Sequence, residues 1–294
     1  MRRLLIIGCG DVALRMVSLV RSRYVMYALV RERERLPQLR ALGLKPVVGD
    51  LDRPDTLAAL AGLAHDVVHF APPPRIGVLD TRTAHLIAAL AKGKSLPQQL
   101  VYISTSGVYG DCGGAVVKET RPLKPQTARA QRRVDAERQL RSWGARAGVR
   151  VTILRAPGIY AADRLPIARL ERRTPALRAE DDSYVNHVHA DDLARMALAA
   201  LRHGHANRSY NAADDTPQRM GDYFDLVADG FGLPRPPRIA REEARLSLPP
   251  QLYSFMNESR RLSNGRIKRE LRIALRYPSV REGIAAARAD SGSA

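Results

Sequence analysis

Apolar runs of strand length alternate with amphipathic, arginine-rich segments through the first two thirds of the chain. No other feature restricts the possible folds as strongly. The runs are "LLII" (4 to 7), "VMYALV" (25 to 30), "PVVG" (46 to 49), "DVVHFA" (66 to 71), "LVYIS" (100 to 104) and "VTILR" (151 to 155). Each reads as a buried strand, and each is separated from the next by an Ala/Leu/Arg-rich helical pattern. That alternation specifies an α/β architecture: a parallel sheet with helices on both faces. Right-handed crossovers place the carboxyl ends of the strands along one edge, where ligands bind.

With 294 residues, 45% of them hydrophobic, the chain can bury the core of one large domain or one and a half. After Arg155 the rhythm breaks into Pro-rich loops, the segment "YVNHVHADDLARMALAAL", a short strand "SYNAA" (209 to 213) and a mostly helical tail. The expected division is a sheet domain of residues 1–156 with 188–214, a small substrate lobe of 157–187 with 215–288, and a disordered tail at 289–294. Asp191 or Asp192 is expected to cap the helix that begins "DDLARMALAAL".

The chain opens "MRRLLIIGCGDVALRM", which has the basic start and Gly-Cys pair of a lipid-anchored leader. Its apolar run ends at Ile7, however, and Asp11 and Arg15 place charges in the residues just beyond. A leader needs roughly 7 to 15 apolar residues, and a spanning helix about 18. The expectation is a cytoplasmic protein with no membrane partner. Cys9 and Cys112 offer neither a disulfide framework nor a metal set. The formal charge of +18 suits anionic ligands, but only six of the 48 basic residues are lysine, the arginines are scattered, and no nucleic-acid-binding signature is present. A small-molecule substrate is expected rather than specific nucleic acid.

Gly8-Cys9-Gly10-Asp11-Val12-Ala13 comes directly after the first strand and opens a helix. In such a loop the first glycine makes a tight turn, the second lets the backbone approach a pyrophosphate, and a small third residue permits close helix packing. Gly8, Gly10, Asp11, Val12 and Ala13 are therefore candidate cofactor contacts. Ala71 and Ser104, closing later strands at the same edge, are further candidates. An NAD site commonly offers an acidic residue about 20 residues on; this chain offers Arg31 in "ALVRERER", with Arg33 close behind. A guanidinium suits a 2'-phosphate, which favours NADP over NAD; the competing reading is a solvated charge run, since Glu32 and Glu34 interleave. Asp50-Leu51, closing the third strand, is placed to contact the adenine or to end the strand.

Seven blocks carry a wider resemblance: "GCGDVA", "GDL" (49 to 51), "YISTSGVYGD" (102 to 111), "RVDAE" (133 to 137), "LRAPGIY" (154 to 160), "VHADDLA" (188 to 194) and "ESRRLSNGRIKREL" (258 to 271). With these the chain resembles the extended short-chain dehydrogenase/reductase superfamily, its NAD(P)-dependent epimerase/dehydratases, and among them an atypical YeeZ-like bacterial branch. The resemblance implies a Rossmann-type doubly wound sheet with a small C-terminal substrate lobe. It also implies a Ser/Thr hydroxyl holding the substrate oxygen, a tyrosine exchanging its proton, and a lysine four residues later holding the nicotinamide ribose. Thr105, with Ser104, falls at the Ser/Thr place. Aligning Glu137 with the usual glutamate puts Arg129 and Arg133 at the tyrosine and lysine places, so Arg133 is a candidate ribose contact. None of the ten tyrosines is followed four residues later by lysine.

Tyr109, near Thr105 in sequence, is the named substitute for the missing acid. His187, His189 and Tyr160 are others, each with a structural reading beside the catalytic one. Arg164, Arg169, Arg172 and Arg173 of the second lobe are candidates to meet an anionic substrate group. Two functions are compatible with these residues: an NADP-dependent oxidoreductase or epimerase/dehydratase acting on a carbonyl or hydroxyl compound, or an NADP(H)-binding sensor or scaffold without turnover.

Overall fold

The computed structural model describes residues 1–20 and 23–291. All six apolar runs form strands: β1 (Arg2–Ile7), β2 (Tyr24–Val30), β3 (Lys45–Val48), β4 (Asp66–His69), β5 (Gln99–Thr105) and β6 (Arg150–Ala156). The short strand at "SYNAA", β7 (Arg208–Asn211), pairs in parallel with β6 and completes a seven-stranded parallel sheet of order β7-β6-β5-β4-β1-β2-β3. The order reverses at β1, so a crevice opens at the carboxyl ends of β1 and β4.

Successive residues of β1 face opposite layers, as the pleat requires. Leu4 and Ile6 pack against α1 (Asp11–Val20), while Leu5 and Ile7 pack toward α2 (Thr81–Ala91) and α3 (Ala128–Ala147). All four are fully buried, each worth roughly 1.5–3 kcal/mol relative to exposure. The first layer is completed by α4 (Ala190–His203), whose Leu193, Ala194 and Ala197 sit in the same cluster as Val12, Met16 and Val20 of α1. The cap of α4 differs from expectation. His189 is the capping residue, its Nδ1 accepting from the Asp191 amide at 3.2 Å. Asp192 instead accepts from the amides of Arg276 and Tyr277 at 2.9 and 2.8 Å, tying the tail to the helix.

The lobe packs α5 (Met220–Phe231) against α6 (Val280–Ser291) around Tyr160, Tyr223, Phe224 and Ile284. A Cβ at Gly283 would lie 2.4 Å from the Tyr160 ring, so only glycine lets α6 close on it. The helix at Gly265–Leu271 does not join this lobe: Ile267 and Leu271 are buried with the α1/α4 layer. The tail expected to be disordered is helical through Ser291, and residues 292–294 lie outside the described residues.

Behind the carboxyl edge lies a buried polar network. Arg155, at the end of β6, donates to both oxygens of Glu137 on α3, at 3.1 and 2.7 Å, with side chains 4% and 2% exposed. Burial alone would lower the Arg155 pKa, but the bonds to Glu137 outweigh it and the net direction is up. Glu137 also accepts from Ser104 Oγ at 2.7 Å, and Arg155 donates to the Tyr109 hydroxyl at 2.9 Å. Glu137→Gln keeps the shape but strands a buried guanidinium, and should lower stability by about 3–5 kcal/mol; urea melts of wild type and variant measure the difference.

Candidate functional site

A cleft of about 1210 Å³ runs along the carboxyl edge, floored by the ends of the strands and walled on the far side by the second lobe. Gly8, Gly10, Asp11, Val12 and Ala13 all line it, as the loop motif requires. Gly8 has φ +85, and a Cβ there would meet the Ala71 amide nitrogen at 2.5 Å. The loop thus lies directly on the end of β4, which brings Ala71 into the same floor. A Cβ on Gly10 would meet nothing within 4 Å. Space is open above this glycine, beside the first turn of a ten-residue helix whose dipole favours an anion. The turn fits the pyrophosphate of a dinucleotide.

At one end of the cleft, Arg31, Glu32, Asp50 and Leu51 line the wall where β2 and β3 end. Arg31 pairs with Glu32 at 3.0 Å, both side chains more than half exposed. Such a pair contributes little and exchanges partners readily. Asp50 is partly committed to its own turn: Oδ1 accepts from the Asp52 amide, and its amide donates to Thr56 Oγ1. Arg33 does not line the cleft. Arg35 does, and it donates to the Cys9 carbonyl at 2.8 Å, bracing the phosphate loop. Its sequence signal is its place in the arginine run that follows the second strand. Arg82, which has no local sequence signal, closes this end and pairs with Asp52 at 2.6 Å.

At the centre, Thr105 Oγ1 accepts from the Gly107 amide at 3.3 Å and caps a short turn, and Thr105 lines the cleft. Ser104 also lines it, but its hydroxyl is spent on Glu137. Arg129 and Arg133 both border this centre. Arg133 is held there by two bonds of 2.9 Å, to the Tyr102 hydroxyl and the Ile103 carbonyl. A fixed positive charge therefore stands where the resemblance placed a lysine.

Several expected acids are elsewhere. Tyr109 does not line the cleft: it is 1% exposed, donates to Asn211 Oδ1 at 2.7 Å, and burial pushes its hydroxyl up to about 12. The structure corrects its expected catalytic role to a structural one. Tyr160 is buried in the lobe core with its hydroxyl on the Ser279 carbonyl. His189 caps α4, stacked 3.8 Å from Tyr277. His187 does line the cleft. Its ring lies 4.1 Å from Tyr223 and fills the space left by Gly158, where a Cβ would sit 3.1 Å from its Cδ2. Nδ1 is buried without a partner, and burial holds the imidazole down at about 4. Of the four candidate arginines Arg164 alone lines the cleft, where Arg260 joins it; Arg169 packs over Phe224 instead, 4.4 Å from its ring centre.

Asp214, whose amide donates to the His187 carbonyl, carries a buried carboxyl with Oδ2 unpartnered. Burial raises its pKa to about 8, reinforced by neighbouring acids. The folded state holds this proton and the unfolded state releases it above about 3.8, so stability falls as pH rises through that window. Asp214→Asn mimics the protonated form. Its melting temperature should exceed wild type by a gap that widens from pH 4 to 8 and then levels, read by calorimetry.

A glycine-bearing phosphate turn, a switch-point cleft and a Ser/Thr loop at its centre define a dinucleotide-binding α/β protein. The chain belongs to the NAD dependent epimerase/dehydratase family, whose sequence model matches residues 43–213. It is similar to GDP-6-deoxy-D-mannose reductase of Pseudomonas aeruginosa, 29% identical over 202 residues; the match takes in 62% of this chain and 66% of that protein, slightly less than two thirds of its length. A conserved protein of unknown function from Silicibacter pomeroyi has a similar structure, with 28% identity, TM-score 0.80 and 99% of both chains covered. UDP-glucuronic acid 4-epimerase from Bacillus cereus, solved with UDP-glucuronic acid and NAD, matches with TM-score 0.76 over 99% of both chains at 16% identity, a likeness of fold. Among the described residues no helix is long and apolar enough to cross a membrane.

Proposed function

We propose that the chain is an NADP-preferring oxidoreductase or epimerase/dehydratase acting on a carbonyl or hydroxyl compound, with a nucleotide sugar as its substrate class. The observation that carries this reading is Thr105. Its Oγ1 is an acceptor for the Gly107 amide, which leaves its one proton to be donated into the cleft. The Pseudomonas reductase and the Bacillus epimerase act on nucleotide sugars by their own names, which supports the substrate class. The blocks "GCGDVA" and "STSGVYG" support the YeeZ-like branch.

The turn at Gly8–Ala13 would hold the pyrophosphate, Arg31 a 2'-phosphate, and Arg133 the nicotinamide ribose. Bound there, the nicotinamide supplies or accepts the hydride. Thr105 fixes the reacting oxygen. His187, neutral at pH 7 because burial holds it near 4, would meet a substrate oxygen through one ring nitrogen, as donor or acceptor according to its tautomer. Arg129 and Arg133 hold charge but exchange no proton at neutral pH.

Those two arginines also favour a second reading, a protein that binds NADP(H) without turnover. Binding and turnover separate the two. Purified protein is titrated with NADPH and NADH, then assayed with aldehydes, ketones, and GDP- and UDP-sugars. The first reading predicts tighter NADPH binding, loss of that preference in Arg31→Gln, and turnover that Thr105→Ala lowers about 100-fold. NADPH binding with no turnover above Thr105→Ala supports the second. Unchanged preference in Arg31→Gln removes the 2'-phosphate role.

A further inference from the structure

A charged contact joins the two walls of the cleft at the phosphate turn. Asp11 occupies the first turn of α1, next to Gly10, where helix dipole and amides favour an anion. Its carboxylate is held from two directions. Arg15 Nε lies 3.0 Å from both oxygens, and Arg164 Nη2 lies 3.0 Å from Oδ2. The two arginines are differently committed. Arg15 belongs to α1 itself and also reaches Asp191 at 2.6 Å. Arg164 stands on the second lobe, lines the cleft, has a side chain 36% exposed, and among the described residues makes no other ion pair.

A pyrophosphate arriving at this turn meets a carboxylate already there. Like charges at such range repel unless a cation is shared between them. Arg15 is fixed between two helices. Arg164 is the long, partly exposed cation on the opposite wall, and its forked donors suit phosphate oxygens.

We propose that Arg164 is a cofactor-binding residue contributed by the second lobe: when a dinucleotide seats on the turn, its guanidinium passes from Asp11 to the pyrophosphate. This rests on the reading of the protein as a dinucleotide binder. Asp11 then competes with the phosphates for Arg164 and adds a like charge beside them. The contribution is independent of the 2'-phosphate, because it acts on the pyrophosphate at the 5' position of the adenosine ribose.

Dissociation constants of the full-length protein for NADPH, NADH and ADP-ribose, measured calorimetrically at fixed ionic strength, test the assignment. Arg164→Gln should weaken all three about tenfold, the scale of one charge-assisted contact, and Arg164→Lys should recover part of the loss. Asp11→Asn should tighten all three by removing the competing charge. Arg31→Gln should affect NADPH alone, separating the two arginines. Constants within twofold of wild type in Arg164→Gln, or weaker binding in Asp11→Asn, would overturn the proposal. If wild type binds none of the three, the dinucleotide reading itself fails, and with it this assignment.

Discussion

The buried ion pair between Arg155 and Glu137 is the constraint on which the site depends. It joins the end of β6 to α3 beside the end of β5, which carries Ser104 and Thr105. Two charges out of water are costly on their own, so the arrangement persists only because every arm is occupied: two oxygens on one guanidinium, Ser104 on Glu137, Tyr109 on Arg155. Thr105 escapes this network. It lines the cleft, while the hydroxyl of its neighbour Ser104 is committed to the floor.

Substitution at the tyrosine and lysine places changes what the cleft can do without dismantling it. Arg133 is bonded to Tyr102 and Ile103, so the strand end that should position a lysine positions a guanidinium instead. A guanidinium carries charge there but exchanges no proton at neutral pH. His187, on the opposite wall of the cleft, is kept neutral by burial.

The sheet was legible in the sequence because its central strands are buried on both faces and so read as continuous apolar runs; β3, at the sheet edge, is only partly covered. The phosphate loop was legible because glycine positions report backbone geometry directly, as Gly8 shows. Tyr109 misled because proximity to Thr105 in sequence says nothing about direction: the turn at Ser106–Tyr109 sends its ring inward to Asn211. The cap of α4 misled because two aspartates look like better acceptors than His189, yet both are spent elsewhere, on Arg15 and on the tail amides. Long-range partners of this kind, 85 positions apart for Asp192 and Tyr277, leave no local pattern to read. Ile267 and Leu271 have the spacing of a packed helix, but the layer they join depends on tertiary path.

The contact between Gly8 and Ala71 has a consequence for how this loop can vary. What a side chain at position 8 would strike is the nitrogen and Cα of residue 71, atoms common to every amino acid. A smaller residue at 71 therefore cannot make room. Where two side chains collide, a compensating change in one can rescue the other; here the obstruction is main chain, and no second-site replacement at 71 restores the lost fit. Position 8 is closed to exchange by the path of the backbone itself, while Gly10, two residues on, is constrained only by what the cleft must admit.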